Sequence, residues 1–555
     1  MTKGVDNKTI DEMSIKRIDS LIKKLRDESY QPKSARRVYI PKKNGKKRPL
    51  GIPSFDDKLI QEVIRMILES IYEGYFEETS HGFRPNRSCH TALSCIQKYY
   101  TGSKWFIEGD IEGFFDNINH NTLISIMRER IKDERFLRLI RKFLNAGYME
   151  NWEFHNTYSG TPQGGIISPI LANIYLDKLD KYIKEYTEQF EMGVRRKNNP
   201  VYGRLQNDIK LCKRHLKNAK SEEEKETLIK EIKALEIKRR TIPSKIEMDD
   251  NFKRLRYERY ADDFLIGVIG SKEDCKKIKQ DIKDFLDERL KLSLSDEKTL
   301  ITHAKKPAKF LGYEISVRSN DNIKQGRNGV PARIHNGKVT LKIPKNAIKD
   351  KLLEYGAMKI VVHNGKEIWK PTARVVMKNN DDLEILSRYN AEIRGLYNYF
   401  SLALNSGILS NFKYVMQYSM YKTFATKYRT NKRSIIERYR IGKDFGMKYL
   451  DSKGKEHTTL FYNEGFKRKK DLRMDCDNIP NTIVYNGRTS LIERLKAKKC
   501  EFCGKENIPL QMHHIRKIKD LKGKAPWEQL MIGRRRKTLA VCEECHRKIH
   551  ADKMD

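Results

Sequence analysis

Two aspartates, Asp262 and Asp263, stand side by side within residues 259–267, where β-prone residues lie on both sides of the pair. Because successive residues of a strand point to opposite faces, both carboxylates can serve one site only at a tight turn between two strands. Two bare carboxylates so close repel each other, and one takes up a proton unless divalent cations bind there. The pair therefore predicts a metal site at a turn.

A third acid, Asp110, ends the apolar segment 105–110, and the sequence after it favours a turn into a helix. Three acids on two neighbouring strands can hold two Mg²⁺ ions, which activate an attacking hydroxyl and stabilise the leaving oxygen of an in-line phosphoryl displacement. A lone aspartate is more often a helix cap or a turn residue. The prediction of a two-metal site therefore depends on the two segments occurring together.

A second set of residues with side chains suited to metal binding lies near the C-terminus. Two C-x-x-C pairs have the ligand spacing of a structural, tetrahedral zinc site. The four cysteines are Cys500, Cys503, Cys542 and Cys545. Histidines lie between and after these pairs, and the spacing of His546 and His550 places both on one helical face. The scattered cysteines, including Cys89, Cys95 and Cys275, are expected to be small buried hydrophobic residues rather than disulfide partners.

The composition indicates the class of partner. The chain has 113 Lys and Arg against 74 Asp and Glu, a formal net charge of +39, and such an excess favours binding to a polyanion. At 555 residues it is too long for one hydrophobic core, so several domains are expected. No apolar run approaches the roughly 18 residues of a membrane span or resembles a signal peptide. We therefore expect a soluble, unexported protein with no membrane partner.

The elements around these residues can be outlined from the sequence pattern. Residues 38–53 favour a strand, a basic turn and a second strand, which would form either a site for a triphosphate or a solvated hairpin tip. Residues 177–256, rich in Lys and Glu, predict a helical insertion that is either a solvated, ion-paired hairpin or an RNA contact. After residue 312 the sequence favours a loop-rich stretch, then helices over about 347–432, then a basic irregular segment.

Six sequence blocks occur in the order in which group II intron reverse transcriptases have them, and the chain resembles that family over nearly its full length. The blocks are residues 40–53, 80–88, 105–116, 160–169, 260–263 and 310–313. The resemblance implies an α+β multidomain fold: a right-hand polymerase with fingers, palm and helical thumb, followed by a DNA-binding segment and a ββα, zinc-containing HNH module.

The resemblance also implies domain boundaries. The expected domains are fingers at 1–100, palm at 101–330 with the helical insertion at about 177–256, thumb or maturase domain X at 331–432, a DNA-binding segment at 433–490 and the HNH endonuclease at 491–555. The family usually has further helical sequence before residues 2–6, which leaves open a longer native N-terminus.

For the polymerase, the resemblance implies roles residue by residue. The catalytic residues Asp110, Asp262 and Asp263 would bind the two Mg²⁺ ions, with the Ile111 carbonyl as a further ligand. Phe115 would crowd a ribose 2′-hydroxyl and so select deoxynucleotides, although a bulky residue here is also consistent with plain core packing. The other nucleotide-binding candidates are Lys42 and Arg48, which would meet the triphosphate, and Gln163 and Gly164, which would line the pocket.

Residues 394–428 interleave aromatics and cations along a helix and are similar to the thumb, or domain X, which grips intron RNA in this family. Aromatics can stack on bases while cations meet phosphates. The cations are Lys413, Lys422, Lys427 and Arg429. Most of the individual aromatics are nevertheless expected to pack in the core of the thumb.

The C-terminal cysteines and histidines resemble an HNH endonuclease, whose ββα unit binds one catalytic divalent ion. The resemblance implies that His514 is the general base that activates water. It also implies that the nuclease ion is held by His513, His546 and His550. Thr538 departs from the pattern, because many HNH motifs have Asn there. A zinc module that only binds DNA is therefore the alternative for this tail.

The whole pattern favours an RNA-directed DNA polymerase and maturase that assists group II intron splicing and mobility by target-primed reverse transcription, with an endonuclease for the second DNA strand. The alternative is a splicing-only maturase with an inactive or DNA-binding tail, which the intact acids disfavour. Retron or diversity-generating reverse transcriptases would leave the thumb and tail unexplained. The expected partners are group II intron RNA, target DNA, a template–primer hybrid and dNTPs. The expected cofactors are Mg²⁺ and Zn²⁺, and the expected location is the bacterial cytoplasm at the nucleoid, or an organelle.

Overall fold

The computed structural model of the protein describes most of the chain. The described residues are 2–6, 8–41, 45, 47–150, 153–157, 159–160, 164–246, 248–319, 323–325, 331–333, 336–450, 454–469, 491–515, 518, 521, 523–534 and 536–551. Two of the expected nucleotide-binding residues, Lys42 and Gln163, lie outside this set.

The N-terminal region consists of a helix, a β-hairpin and two further helices. Its elements are α1 Ile15–Arg26, β1 Ala35–Pro41, β2 Lys47–Ile52, α2 Phe55–Tyr72 and α3 Cys89–Tyr99. The hydroxyls of Ser14, Ser54 and Ser88 cap the three helices, each accepting a hydrogen bond from the backbone N–H three residues on. β1 and β2 pair antiparallel, which confirms the hairpin predicted around the basic turn.

The following region alternates strands with helices. Its elements are β3 Trp105–Asp110, α4 Phe114–Asn117, α5 His120–Arg128, α6 Glu134–Leu144, β4 Tyr148–Glu150, β5 Glu153–His155, α7 Ser168–Phe190, α8 Pro200–Asn218, α9 Glu222–Thr241, β6 Arg254–Tyr260, β7 Asp263–Ile269, α10 Lys272–Phe285 and β8 Leu300–His303. A π-helical turn, Leu286–Leu290, extends α10.

An antiparallel sheet in the order β6-β7-β3-β8 lies at the centre of this region. Successive residues of β7 point to opposite faces, and both faces are covered: Phe264 and Ile266 pack in one hydrophobic core and Leu265 in another. Burial on both faces explains why this strand is a continuous apolar run rather than an alternating one. The sheet is therefore a rigid base for residues at its edge.

The lysine- and glutamate-rich segment is largely helical, as predicted. Helix α7 continues through Leu179 and Ile183, which are buried in the core, so the separate hairpin consists of α8 and α9 alone. Few of its residues are buried, and Lys213 forms a 3.0 Å ion pair with Glu236 across it. These features fit a solvated, ion-paired hairpin.

The second half of the chain mixes helices with short sheets. Its elements are β9 Ala308–Phe310, β10 Tyr313–Val317, β11 Ile323–Gln325, β12 Pro331–Arg333, β13 Val339–Lys342, α11 Lys345–Glu354, β14 Met358–His363, β15 Lys366–Pro371, α12 Asp382–Phe400, α13 Leu409–Tyr428, α14 Lys432–Arg438, β16 Arg440–Ile441, β17 Asp444–Leu450 and β18 Glu456–Leu460. Short 3-10 turns are Val375–Met377 and Ser406–Ile408.

Three predictions for this half were wrong in detail. The stretch expected to be helical contains the hairpin β14–β15, whose two-residue turn has Asn364 and Gly365 at positive φ, the conformation that an Asn-Gly pair favours. The long helix expected over 394–428 is interrupted between α12 and α13. The segment after residue 433 is not irregular, because β16–β18 form a sheet whose Phe445 and Met447 pack in the core formed by α12 and α13.

The C-terminal unit consists of α15 Leu491–Lys496, β19 Leu510–His514, α16 Pro526–Gly533, β20 Thr538–Cys542 and α17 Glu543–His550. β19 and β20 pair antiparallel and lead into α17, which confirms the predicted ββα arrangement. Its core includes Met13 and Phe55 from the N-terminal region, so the two ends of the chain pack together. Within the described residues, no helix is long and apolar enough to cross a membrane.

Candidate active sites

The three predicted acids meet at the end of the central sheet. Asp110, the last residue of β3, is directly opposite Asp263, the first residue of β7, in the antiparallel register. Tyr260 of β6 pairs with the same Asp263, so Ala261 and Asp262 form a two-residue turn, with Ala261 at φ 57°. The predicted tight turn is confirmed, and paired positions of neighbouring strands lie roughly 5 Å apart at Cα.

A buried arginine supports this turn from beneath. Arg259, fully buried on β6, donates two hydrogen bonds of 2.7 and 2.6 Å to the carboxylate of Asp180 on α7. It also donates to the Ala261 carbonyl at 2.8 Å and to the Ser80 hydroxyl at 2.7 Å. Because a guanidinium with this many partners is held in one orientation, the backbone of the acidic turn is fixed relative to α7.

Two glycines let other elements approach the acids. A Cβ on Gly82 would overlap the backbone of Ala261, and a Cβ on Gly109 would overlap the ring of Phe264. Both approaches are possible only because glycine lacks a side chain. The segment before α3 thus lies directly against the turn, and Asn173 holds it there by donating a 2.8 Å hydrogen bond to the Gly82 carbonyl.

The electrostatics of the acids favour a bound cation. Partial removal from bulk water, together with the charges of Asp262 and Asp110, raises the pKa of Asp263 to about 7, although part of the residue is exposed to solvent. Burial and the charge of Asp110 also raise the pKa of Asp262, whereas the nearby charge of Arg48 works in the opposite direction. Lys298, which sequence reasoning missed, donates a 2.8 Å hydrogen bond to Asp110 Oδ2. One ammonium group therefore only partly compensates three acids.

A second buried pair lies behind the turn. His81 Nε2 is 2.7 Å from the carboxyl of Glu258, and both residues are buried. Burial lowers the pKa of His81 to about 3 and raises the pKa of Glu258 to about 9, so the two share a neutral hydrogen bond rather than an ion pair at neutral pH. The pair links the segment before α3 to β6 and was not found from the sequence.

The described nucleotide-binding candidates lie on elements near the acidic turn. Arg48 is on β2, close enough for its charge to act on Asp262. Gly164 has φ 104°, and its Cβ position is 2.7 Å from the Gly51 carbonyl, so only glycine fits against β2 there. Phe115 is partly buried, with its ring centroid 6.4 Å from that of Phe83.

Ile111 follows Asp110 directly. Its side chain is buried, and an isolated bridge joins it to Leu294. The Asp110 carbonyl accepts a 2.9 Å hydrogen bond from the Ser295 N–H, which fixes the backbone after β3. These contacts fix the position of Ile111 directly after Asp110, while a metal-binding role for its carbonyl stays a prediction.

The four C-terminal cysteines converge. Their sulfur atoms all lie within 4.8 Å of one another, which fits a tetrahedral zinc site. Although burial works in the other direction, the N–H groups of Cys503 and Cys542 lower the pKa of the Cys500 thiol to about 7. Burial raises the pKa of the Cys503 and Cys545 thiols, so the thiolate form of the cluster is favoured by a bound cation, because the thiolate is the ligand. Of the scattered cysteines, Cys89 and Cys275 are buried, as predicted, whereas Cys95 is only partly buried and differs from the prediction.

The C-terminal histidines form a separate cluster. His513 on β19 is 5.6 Å from His546 and 5.1 Å from His550, both on α17, between ring centroids. Burial lowers the pKa of His513 to about 4, which keeps its imidazole neutral and able to bind a cation. Asp11, which sequence reasoning missed, reaches the same cluster, and the spacing along the chain gave no signal of this.

The remaining nuclease candidate, His514, and the departing residue Thr538 lie opposite each other on paired strands. His514 of β19 is opposite Thr538 of β20, and burial lowers the pKa of His514 as well. The Thr538 hydroxyl accepts a 2.9 Å hydrogen bond from Arg494 and is thus held by α15 rather than by the histidine cluster. A neutral, half-buried His514 can accept a proton.

Comparison with known proteins identifies the family. A reverse transcriptase (RNA-dependent DNA polymerase) family matches residues 40–202 and 235–315, a type II intron maturase family 336–474, and an AI2M/AI1M-like HNH endonuclease family 500–546. The group II intron-encoded protein LtrA of Lactococcus lactis subsp. cremoris is 46% identical over 555 residues, covering 99% of this chain and 91% of LtrA. The chain belongs to the group II intron-encoded protein family.

More distant relatives extend the comparison. The putative COX1/OXI3 intron 2 protein of Saccharomyces cerevisiae is 35% identical, covering 100% of this chain and 63% of that protein. A 91 kDa protein in the cob intron of Schizosaccharomyces pombe is also 35% identical, covering 100% of this chain and 67% of that protein.

Membership in the family shows the activities in outline. The chain is a group II intron reverse transcriptase and maturase with an HNH endonuclease-like domain. The reverse transcriptase match skips residues 203–234, which lie in α8 and α9. That gap agrees with the insertion expected from the composition. Divalent metals are general cofactors of both enzyme families, and the acids, cysteines and histidines above are residue types that bind such metals.

Proposed function

We propose that Asp110, Asp262 and Asp263 form the metal site at which the protein synthesises DNA on an RNA template. The observation that carries the proposal is the pairing of Asp110 with Asp263 at a turn where Asp263 has a pKa of about 7. Acids this close to one another are poorly stable as a charged set without cations. Two Mg²⁺ ions, when bound, supply activation of the primer 3′-hydroxyl and charge neutralisation at the leaving pyrophosphate.

The residues of the chain then position the substrates. Arg48 contacts the triphosphate, and Lys42 does so from the same hairpin. Phe115 restricts space at the ribose 2′ position, while Gly164 and Gln163 line the nucleotide pocket. The Ile111 carbonyl adds an oxygen ligand beside Asp110. The electrostatic effect of the Arg48 charge on Asp262 and the close packing of Gly164 against β2 support these assignments.

Lys298 and Arg259 serve the same site in different ways. Lys298 neutralises part of the charge of Asp110, with its ammonium 2.8 Å from the carboxylate. Arg259 contacts no substrate and is a positioning residue, since it holds the carbonyl of Ala261. Both functions are consistent with a protein that contributes orientation and charge to phosphoryl transfer.

The thumb binds intron RNA in this proposal, and the domain limits are those expected from the sequence. Buried Tyr389, Phe412 and Phe424 belong to the core of the thumb, whereas Tyr414 is 56% exposed and is free to meet RNA. Lys427 forms a 2.6 Å ion pair with Asp382, so it is less available to bind an RNA phosphate than the sequence suggested.

Residues 433–490 contact target DNA in this proposal. The template, primer and dNTPs bind between fingers, palm and thumb.

The C-terminal unit cleaves the second DNA strand during mobility. His514 is the general base, the ion is held by His513, His546 and His550, and the four cysteines hold a structural Zn²⁺. The convergence of each group supports this assignment. The net charge of +39 and the bacterial relative LtrA favour a location at the bacterial nucleoid, and an organelle is the alternative.

Primer extension on an RNA template with Mg²⁺ tests the proposal. Asp262→Asn should lower extension at least about 10³-fold, since a catalytic metal supplies several kcal/mol and about 1.4 kcal/mol is tenfold in rate. Exposed Asp284 on α10 provides the matched control, and Asp284→Asn should retain activity. Equal extension by Asp262→Asn would reject the site. A wild type that promotes intron splicing without any extension would instead favour the splicing-only maturase.

A further inference from the structure

The segment before α1 crosses to the C-terminal unit and joins its sheet. Met13 forms an antiparallel bridge with Met512 of β19. The Glu12 N–H donates to the Met512 carbonyl and the Met512 N–H donates to the Met13 carbonyl, both at 2.9 Å. Met13 is only 3% exposed. These contacts give the segment a fixed register on β19, two residues before His514.

That register places Asp11 among the histidines. Asp11 Oδ2 is 2.9 Å from His550 Nε2, and Oδ1 is 3.2 Å from His546 Nε2 and 3.8 Å from His513 Nδ1. The four candidate ligand atoms all lie within 4.8 Å of one another. Such spacing matches a set of donors around one central ion.

The buried histidine of the cluster supports the same conclusion. His513 is 4% exposed, and neither of its ring nitrogens has a hydrogen-bond partner within the described structure. Buried polar atoms are nearly always satisfied, and an unsatisfied one indicates a missing ion, water or ligand. The edge of Trp527, 5.1 Å away between centroids, closes one side of the imidazole.

The carboxylate is also oriented as a metal ligand would be. The His514 N–H donates a 2.8 Å hydrogen bond to Asp11 Oδ1. Carboxylates that bind metals are usually held in this way by a second hydrogen bond, which fixes the direction of the lone pairs. Three imidazoles and one carboxylate form a donor set suited to a divalent transition-metal ion.

We infer that Asp11 is the fourth protein ligand of the divalent cation held by His513, His546 and His550. The metal centre of the nuclease is thereby completed by the opposite end of the chain, and a bound ion holds the N-terminal segment on β19. This inference rests on the proposed nuclease centre. The competing function for Asp11 is that of a counter-ion standing where a phosphate of DNA would lie, in which case its removal would leave metal affinity unchanged or higher.

Titration with Mn²⁺ separates these cases. Every sample is the full-length, zinc-loaded protein with Asp262→Asn and Asp263→Asn, which is the parent protein here. These two substitutions reduce Mn²⁺ binding at the polymerase site. We expect Asp11→Asn to weaken Mn²⁺ affinity at least about tenfold, because even the hydrogen-bond partners of ligands are worth about 10- to 100-fold. His550→Ala should weaken it similarly. Glu12→Gln removes an exposed carboxylate next to Asp11 and should leave the affinity unchanged.

Hydrogen exchange provides a readout independent of affinity. Mn²⁺ should slow exchange of the Glu12 and Met512 amides severalfold in the parent protein, because the ion links the two segments, but not in Asp11→Asn. Unchanged or tighter Mn²⁺ binding by Asp11→Asn would overturn the ligand assignment while the nuclease centre stands. If His550→Ala binds Mn²⁺ as tightly as the parent protein does, both the assignment of Asp11 and the proposed nuclease centre are wrong.

Discussion

The polymerase acids and the nuclease histidines respond in opposite ways to the same physical effect. Removal from water raises the pKa of Asp263 to about 7, so the free carboxylate is disfavoured near neutral pH and protons compete with a metal. Burial lowers the pKa of His513 to about 4, which keeps the imidazole neutral and its lone pair available. Desolvation therefore opposes cation binding at the first site and prepares the second site for it.

The two sites also differ in how their parts are brought together. Asp110 and Asp263 are paired residues of neighbouring strands, within a sheet buried on both faces. The histidine cluster combines one ββα unit with Asp11, a residue near the other end of the chain. The polymerase site thus depends on local register, whereas the nuclease site depends on docking between distant segments.

Loss of the proposed general base should separate the two sites most strongly. His514→Ala should lower nicking of target DNA by about 10²- to 10⁴-fold, the usual contribution of a positioned base. Primer extension should persist, because the described contacts of His514 are with the C-terminal unit and Asp11, not with Asp110, Asp262 or Asp263. Nicking and extension are measured on the same preparation.

His363, exposed on the hairpin β14–β15, supplies the control for removal of an imidazole. His363→Ala should leave both activities unchanged. Unaltered nicking by His514→Ala would remove the assigned base and favour a tail that only binds DNA.

An intermediate effect is expected from the close approach at the acidic turn. Gly82→Ala places a methyl group against the backbone of Ala261, so the turn must move. A misplacement of about 1 Å can cost about 10²-fold in rate, and overpacking costs roughly 1–3 kcal/mol in stability. Primer extension should therefore fall steeply while DNA nicking changes little.

Gly74 lies in open space near the end of α2 and is the matched position. Gly74→Ala should leave extension and the melting temperature essentially unchanged. If Gly82→Ala extends primers as well as Gly74→Ala does, the turn is not held as rigidly as its contacts with Arg259 and Gly82 imply.

The sequence predicted those features that depend on residue types close together along the chain. The sequence predicted a turn at Asp262 and Asp263 and the convergence of the two C-x-x-C pairs, and the structure confirms both. The same applies to the hairpin of β1 and β2. The Asn364-Gly365 turn was a visible hairpin signal that the surrounding helical pattern obscured.

What the sequence could not provide was contact between distant segments. Nothing in the local pattern of Asp11 or Lys298 distinguishes them from other acids and lysines on the surface of a chain with 74 acidic and 113 basic residues. Their positions follow from the bridge between Met13 and Met512 and from the loop after Ser295. Such placements arise from tertiary packing alone.

The smallest effect is a pH dependence at the polymerase site. A carboxyl whose pKa is raised to about 7 is largely protonated at pH 6 and largely ionised at pH 8. Because Mg²⁺ binds the ionised form, the affinity should be steady above pH 7 and fall below it, by about tenfold between pH 8 and pH 6.

Calorimetric titration with Mg²⁺ in a His513→Ala, His550→Ala protein measures this site without the histidine cluster. Adding Asp263→Asn should give weaker binding that varies much less with pH, because the group that titrates near 7 is gone. An equal pH dependence with and without Asp263 would assign the proton to another group. The polymerase site would then not be one at which protons compete with the metal for Asp263, and it would no longer differ in this way from the histidine site.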